Sequence, residues 1–267
     1  MIWTKTKIAL AAAIVAFLVI VTLILTHTLL KGPSAGPADS LATAQTVRGL
    51  RSSADARAQR GRWQEAATDL KQVIKADPSE HMNWWLLMPL LIQSGKIADY
   101  KTQCKAMLDR FDQTSNPMIA ERVAKSCLLL PSAVSPANLT RVANMAETAL
   151  SLGTGSPWYH WFQCTKGLAD YRLGHFTSAL EGMELAQTEL AQSHDSARDR
   201  CEAETYFISA MARHQLRQPD EARAALAHGL SIVQTKLPAL DSGNLGGSWY
   251  DTVTTYILMR EAQGMIK

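Results

Sequence analysis

One short pattern recurs along this chain and restricts it to helix pairs. Gly61-Arg62-Trp63-Gln64-Glu65-Ala66, Gly95-Lys96-Ile97-Ala98-Asp99-Tyr100 and Gly174-His175-Phe176-Thr177-Ser178-Ala179 share one layout. Each has a Gly, a large apolar residue two places later and a helix-packing residue five places later. Leu216-Arg217-Gln218-Pro219-Asp220-Glu221-Ala222 is a fourth copy, with Arg217 in the Gly place and Pro219 opening the helix. The first two glycines lie 34 positions apart, the length of a helix-turn-helix repeat. The next interval, 79, is two such periods plus an insertion of 11, and the last, 43, is one period plus 9. The array is therefore irregular.

The flanks carry helical stripes. Trp84, Leu87 and Leu91 precede the second turn at 3-then-4 spacing. After the four turns come Ala66, Leu70 and Val73; Tyr100, Cys104 and Met107; Ala179, Met183 and Ala186; and Ala222, Leu226 and Gly229. All four sets follow i, i+4, i+7, the signature of a helix that buries one face. No long stretch alternates at period two. The class expected is all-α, a solenoid over 47–267. Asp77-Pro78 reads as a turn and Asn116-Pro117 as a helix start. The insertion of 11 falls at Pro131-Ser132-Ala133-Val134-Ser135-Pro136, between helices expected at Met118–Leu130 and Ala137–Leu152. A final helix over Trp249–Met265 is expected to cap the stack, because a terminal unit must cover an exposed apolar face.

These residues give the chain a resemblance to tetratricopeptide repeat proteins over about Leu50 to Ile266. It also resembles the divergent helical repeat region that follows kinase or WD40 domains in planctomycete-type bacterial proteins. The strings that carry this second likeness run Ala120–Pro131 (AERVAKSCLLLP), Lys166–Gly174 (KGLADYRLG), Trp249-Tyr250-Asp251 and Arg260-Glu261-Ala262. No kinase motif accompanies them. The resemblance implies a scaffold that binds a peptide or partner domain in a concave groove. The groove positions it implies are Arg51 and Asp55, Trp85 and Pro89, Cys164 and Leu168, and Phe207 and Met211. They lack the Lys, Asn and Arg set with which chaperone-binding members clamp a peptide carboxylate, and look apolar and aromatic instead.

Ahead of the repeats, Ile8 to Leu30 carries no charge. At ~1.5 Å per residue such a helix measures about 34 Å, enough for the ~30 Å core of a bilayer. It exceeds the h-region of a cleaved signal, and the nearest small-residue site, Ala35 to Ala38, contains Pro37. The expectation is a single-pass anchor within 1–30 and a flexible tether over 31–46. Lys5 and Lys7 would keep the N-terminus inside the inner membrane and leave the repeats extracytoplasmic.

No constellation for chemistry emerges. The seven histidines include no pair at i, i+4 and no His-Glu-x-x-His, so no metal is expected. Gly243-Asn244-Leu245-Gly246-Gly247-Ser248 lacks the Lys and preceding strand of a phosphate loop. No catalytic residue and no cofactor is proposed from the sequence. With 27 Lys+Arg against 24 Asp+Glu, the charge does not predict nucleic acid as a partner. Cys104, Cys127, Cys164 and Cys201 form no Cys-x-x-Cys. Small buried helix-face residues are one reading, and a Cys104–Cys127 disulfide is the other.

The aromatics say more. In Trp84-Trp85 and Trp158-Tyr159-His160-Trp161-Phe162, neighbours point about 100° apart on a helix, so one stripe cannot bury them all. If Trp84 packs inward, Trp85 leans to the groove, as does Trp161, with Arg172 three turns on. The residues expected to meet a partner are Trp85, Trp161, Arg172 and Arg51. The alternative is that the extra tryptophans fill inter-repeat packing. The function expected is an anchored scaffold that displays a groove to a protein or peptide. The competitors are an extracytoplasmic assembly or secretion factor and an unrecognised enzyme.

Overall fold

A computed structural model describes the backbone of residues 37–266 and side chains from 44. From Val47 on, the chain forms one compact unit. Eleven helices span the described residues: α1 Pro37–Gln59, α2 Trp63–Ala76, α3 His81–Gln93, α4 Ile97–Phe111, α5 Pro117–Leu128, α6 Pro136–Leu152, α7 Tyr159–Leu173, α8 Phe176–Leu190, α9 Arg198–Gln215, α10 Pro219–Lys236 and α11 Trp249–Met265. No strand occurs among these residues. The fold is all-α, of the solenoid kind.

Each recurring Gly pattern forms the same turn. Gly61, Gly95 and Gly174 have φ of 74°, 71° and 84°, and Arg217 takes the same left-handed region at 61°. In each copy the next residue donates to a carbonyl five positions back: Arg62 to Arg57, Lys96 to Leu91, His175 to Asp170 and Gln218 to Arg213. This Schellman bond ends one helix and aims the chain into the next. A side chain at a left-handed position costs about 1–2 kcal/mol. Arg217→Gly, at an exposed site, is therefore expected to raise stability by about 1 kcal/mol, read as a higher urea midpoint at unchanged slope.

All twelve stripe residues after the turns are buried, as are Trp84, Leu87 and Leu91. The helices sort into two layers. α2, α4, α6, α8 and α10 each bury one face. α3, α5, α7, α9 and α11 are buried on most sides; in α7 the buried set includes His160, Gln163, Thr165 and Asp170 beside the apolar residues. A helix surrounded by others loses its amphipathic pattern. Caps set the inner starts: Glu80 accepts from Met82 N, and Asn116 from Met118 N and Ile119 N.

The inner layer closes on itself. α3 packs on α5, α5 on α7, α7 on α9, α9 on α11, and α11 returns to α3. The C-terminal helix has the expected bounds, and besides packing on α9 it reaches α3, which makes it the fifth member of an inner ring. Its docking is specific. Arg172 on α7 makes a two-pronged ion pair with Glu261, with Nη2 2.7 Å from Oε2. Tyr250 packs against Trp85 with ring centroids 3.9 Å apart and planes tilted by 57°, and Arg260 Nη2 donates to Gln93 Oε1 at 2.7 Å.

The expected single-pass membrane topology is also corrected. No helix among the described residues is long and apolar enough to cross a membrane. Residues 8–30, on which that expectation fell, and most of the expected tether lie outside the described residues. Helix already covers Pro37–Thr46, where a flexible tether was expected.

Candidate functional site

A cavity of about 140 Å³ opens at one mouth of the ring. All five inner helices, or the residues leading into them, line it: Trp85 from α3, Glu121, Arg122 and Lys125 from α5, Trp158 and Trp161 at α7, Asp195 before α9, and Tyr250 and Asp251 from α11. Closure of the ring brings these distant segments to one place.

Below the aromatic rim lies a buried charged cluster. Lys125 is 5% exposed, Glu121 5%, Asp251 6% and Glu204 fully buried. Lys125 Nζ sits 2.6 Å from Glu204 Oε2, a buried ion pair. Its other neighbour is the Trp161 ring, 4.0 Å below the ammonium, a cation–π contact strengthened by burial. Thr165 donates to Glu121 Oε1 at 2.8 Å, and Thr255 on α11 donates to Glu204 Oε1 at 3.3 Å.

One ammonium thus faces three carboxyl groups. Desolvation pushes all three upward, against the pull of Lys125, and Asp251 reaches about 8. Desolvation works against the charge on Lys125, but Glu204 foremost, with Glu121, outweighs it and keeps the ammonium charged. At neutral pH Asp251 is a neutral acid held inside the ring.

Asp195 fixes the rim. Its Oδ2 accepts from Trp161 Nε1 at 2.8 Å and lies 3.3 Å from His160 Nε2, while Oδ1 accepts from Ala197 N at 2.9 Å ahead of α9. Burial pushes His160 downward, so its ring is neutral at pH 7. It is a buried residue of the rim.

Of the four residues expected to meet a partner, Trp85 and Trp161 come together at this cavity. Trp161 faces the ring axis and is 8% exposed. Trp85 has one face against Tyr250 and lies 5.0 Å from the Arg122 guanidinium. Arg172 sits elsewhere, locked between Glu261 and the Leu128 carbonyl, so it latches α11 and is not presented to a partner. Arg51 lies on α1, against Asn83 and Asp55, away from the cavity. Of the groove positions the resemblance implied, Pro89, Cys164, Leu168, Phe207 and Met211 are interior, whereas Arg51, Asp55 and Trp85 are partly exposed.

Compared with protein-family models and with curated proteins, the chain matches none. Its function must therefore be argued from geometry.

Cys104 and Cys127 are free, buried thiols, with Cys127 Sγ 3.6 Å from the Cys104 carbonyl oxygen. The structure places them side by side without the disulfide. Cys164 on α7 and Cys201 on α9 also adjoin and are free. No group of His, Cys, Asp or Glu among the described residues could hold a metal ion.

Sequence reasoning missed the cluster of Lys125, Glu121, Glu204 and Asp251. One signal was available: Glu121 and Lys125 stand at i, i+4 in Ala120–Pro131, a string that is otherwise apolar except for Arg122 and Ser126.

Proposed function

We propose that this chain is a tetratricopeptide-like scaffold without catalysis of its own, which binds a partner protein or peptide over the mouth of its inner ring. The observation that carries this reading is the position of α11. It takes the place on the inner face where a groove ligand of an open solenoid would lie, with Trp85 and Arg172 already engaged by Tyr250 and Glu261. What remains open is the mouth, where Trp158 is 42% exposed beside the cavity. An exposed Trp at the edge of an aromatic pocket has the composition of a binding hot spot. The four sequence strings behind the family resemblance also meet in this inner ring, through Glu121 and Lys125, Arg172, Asp251, and Glu261.

The test is selection of a displayed peptide library on the immobilised full chain. Selected peptides are expected to bind at least about tenfold more weakly to Trp158→Ala, a loss of ~1.4 kcal/mol, with the fold's circular dichroism unchanged. Peptides that bind both proteins equally would move the docking site away from the mouth.

A further inference from the structure

The cavity at the mouth is not a neutral pocket. Its walls are aromatic, from Trp85, Trp158, Trp161 and Tyr250, while its floor holds charges of both signs. Two of its demands are unmet. Lys125 Nζ is an ammonium with three N–H groups that lines the cavity and has one anionic partner within ion-pair distance, Glu204 Oε2 at 2.6 Å, which leaves it room for a second acceptor. Beside it, Glu121 and Asp251 compete with Glu204 for that single buried cation.

These two demands have opposite signs. A ligand carrying only a carboxylate would serve Lys125 and Arg122 but add a negative group to an acid-rich floor. A ligand carrying only an ammonium would serve Asp251 and Glu121 but leave Lys125 without a second acceptor. A molecule with both groups answers each demand and leaves the net charge of the site unchanged. The cavity is smaller than the ~300–1,000 Å³ of drug-sized sites, so such a molecule must be small.

We propose that the ring cavity binds a free α-amino acid with an apolar side chain. The carboxylate meets Lys125 and Arg122 near the start of α11, which lacks a side-chain cap; the ammonium meets Asp251 and Glu121; the side chain lies among the tryptophan rings. This goes beyond partner binding at the rim and does not depend on it.

The test is calorimetric titration of the full chain with L-valine, and with its two half-molecules, 2-methylpropan-1-amine and 3-methylbutanoate. Alanine and leucine complete the apolar series. The measurement is made at about pH 8.5, above the Asp251 value of about 8, so that its charge is available. Saturable binding by at least one apolar amino acid is expected, with each half-molecule at least about tenfold weaker. Asp251→Asn, which keeps the shape and removes the charge, should weaken amino-acid binding by a similar factor while the protein melts cooperatively. Silence from all three amino acids up to roughly 10 mM, or equal binding by either half-molecule, overturns the proposal. Library-selected peptides that still need Trp158 in that case leave the scaffold reading standing, so the two failures are distinguishable.

Discussion

Lys125→Met is expected to lower the stability of the chain by about 3–5 kcal/mol at neutral pH, the usual cost of removing one partner from a buried ion pair. Lys125 is the only cation in contact with Glu204, which is fully buried and receives besides it only the Thr255 hydroxyl among the described residues. Without the ammonium, Glu204 and Glu121 must be buried as bare carboxylates or take up protons. Both already bind protons more readily than usual, because desolvation outweighs the pull of Lys125. The deficit should therefore shrink in mild acid, where protonation relieves it. Urea denaturation of wild type and variant, at neutral and mildly acid pH, measures both. A variant as stable as wild type at neutral pH would show that the charged cluster does not hold the inner helices together.

Asp251→Asn should have the opposite sign. The folded Asp251 carboxyl keeps its proton up to about 8, whereas the unfolded one releases it near ~3.9. Between these values folding takes up a proton, so stability falls as pH rises through the window. The slope is at most ~1.4 kcal/mol per pH unit, and the contribution is flat on either side. Asparagine resembles the neutral acid and has no such slope. The variant should match wild type near pH ~4, pull ahead through neutrality and hold its lead above about 8, with an upper limit on the order of 5 kcal/mol. Asp251 faces Lys125 and Glu121 on α5 and Glu204 and Arg200 on α9, so part of the wild-type slope belongs to the other carboxyls and persists in the variant. Parallel stability–pH curves for the two proteins would contradict the buried-acid account.

The local architecture was legible because it is written in short range. The turn at Arg217 illustrates this: its place in the pattern marked it as a glycine substitute, and its backbone indeed adopts the left-handed form. The stripe Tyr100, Cys104 and Met107 identified its buried face by spacing alone. The return of α11 to α3 left no such trace. It depends on the accumulated rotation of successive helix pairs, which insertions at 131–136 and before α9 alter, and no local periodicity encodes that sum. The polar cluster was hidden for the same reason. Glu121 and Lys125 make an ordinary i, i+4 pair until Glu204 and Asp251 arrive from helices far along the chain. Trp85 shows the mixed case: its lean toward the groove followed from Trp84, but its ring partner Tyr250 could not be foreseen.

α11 closes the inner ring against α3. Gln93 and Arg260 are the exposed pair that spans this junction, 2.7 Å apart at their side-chain tips. Substituting both, Gln93→Cys and Arg260→Cys, and treating the folded chain with a short bismaleimide tests the closure; the four natural thiols are buried. The account predicts a monomer carrying one linker attached at both ends, with residues 93 and 260 joined in the peptide map. Monomers carrying two linkers, each attached at one end only, would show that the ring is open.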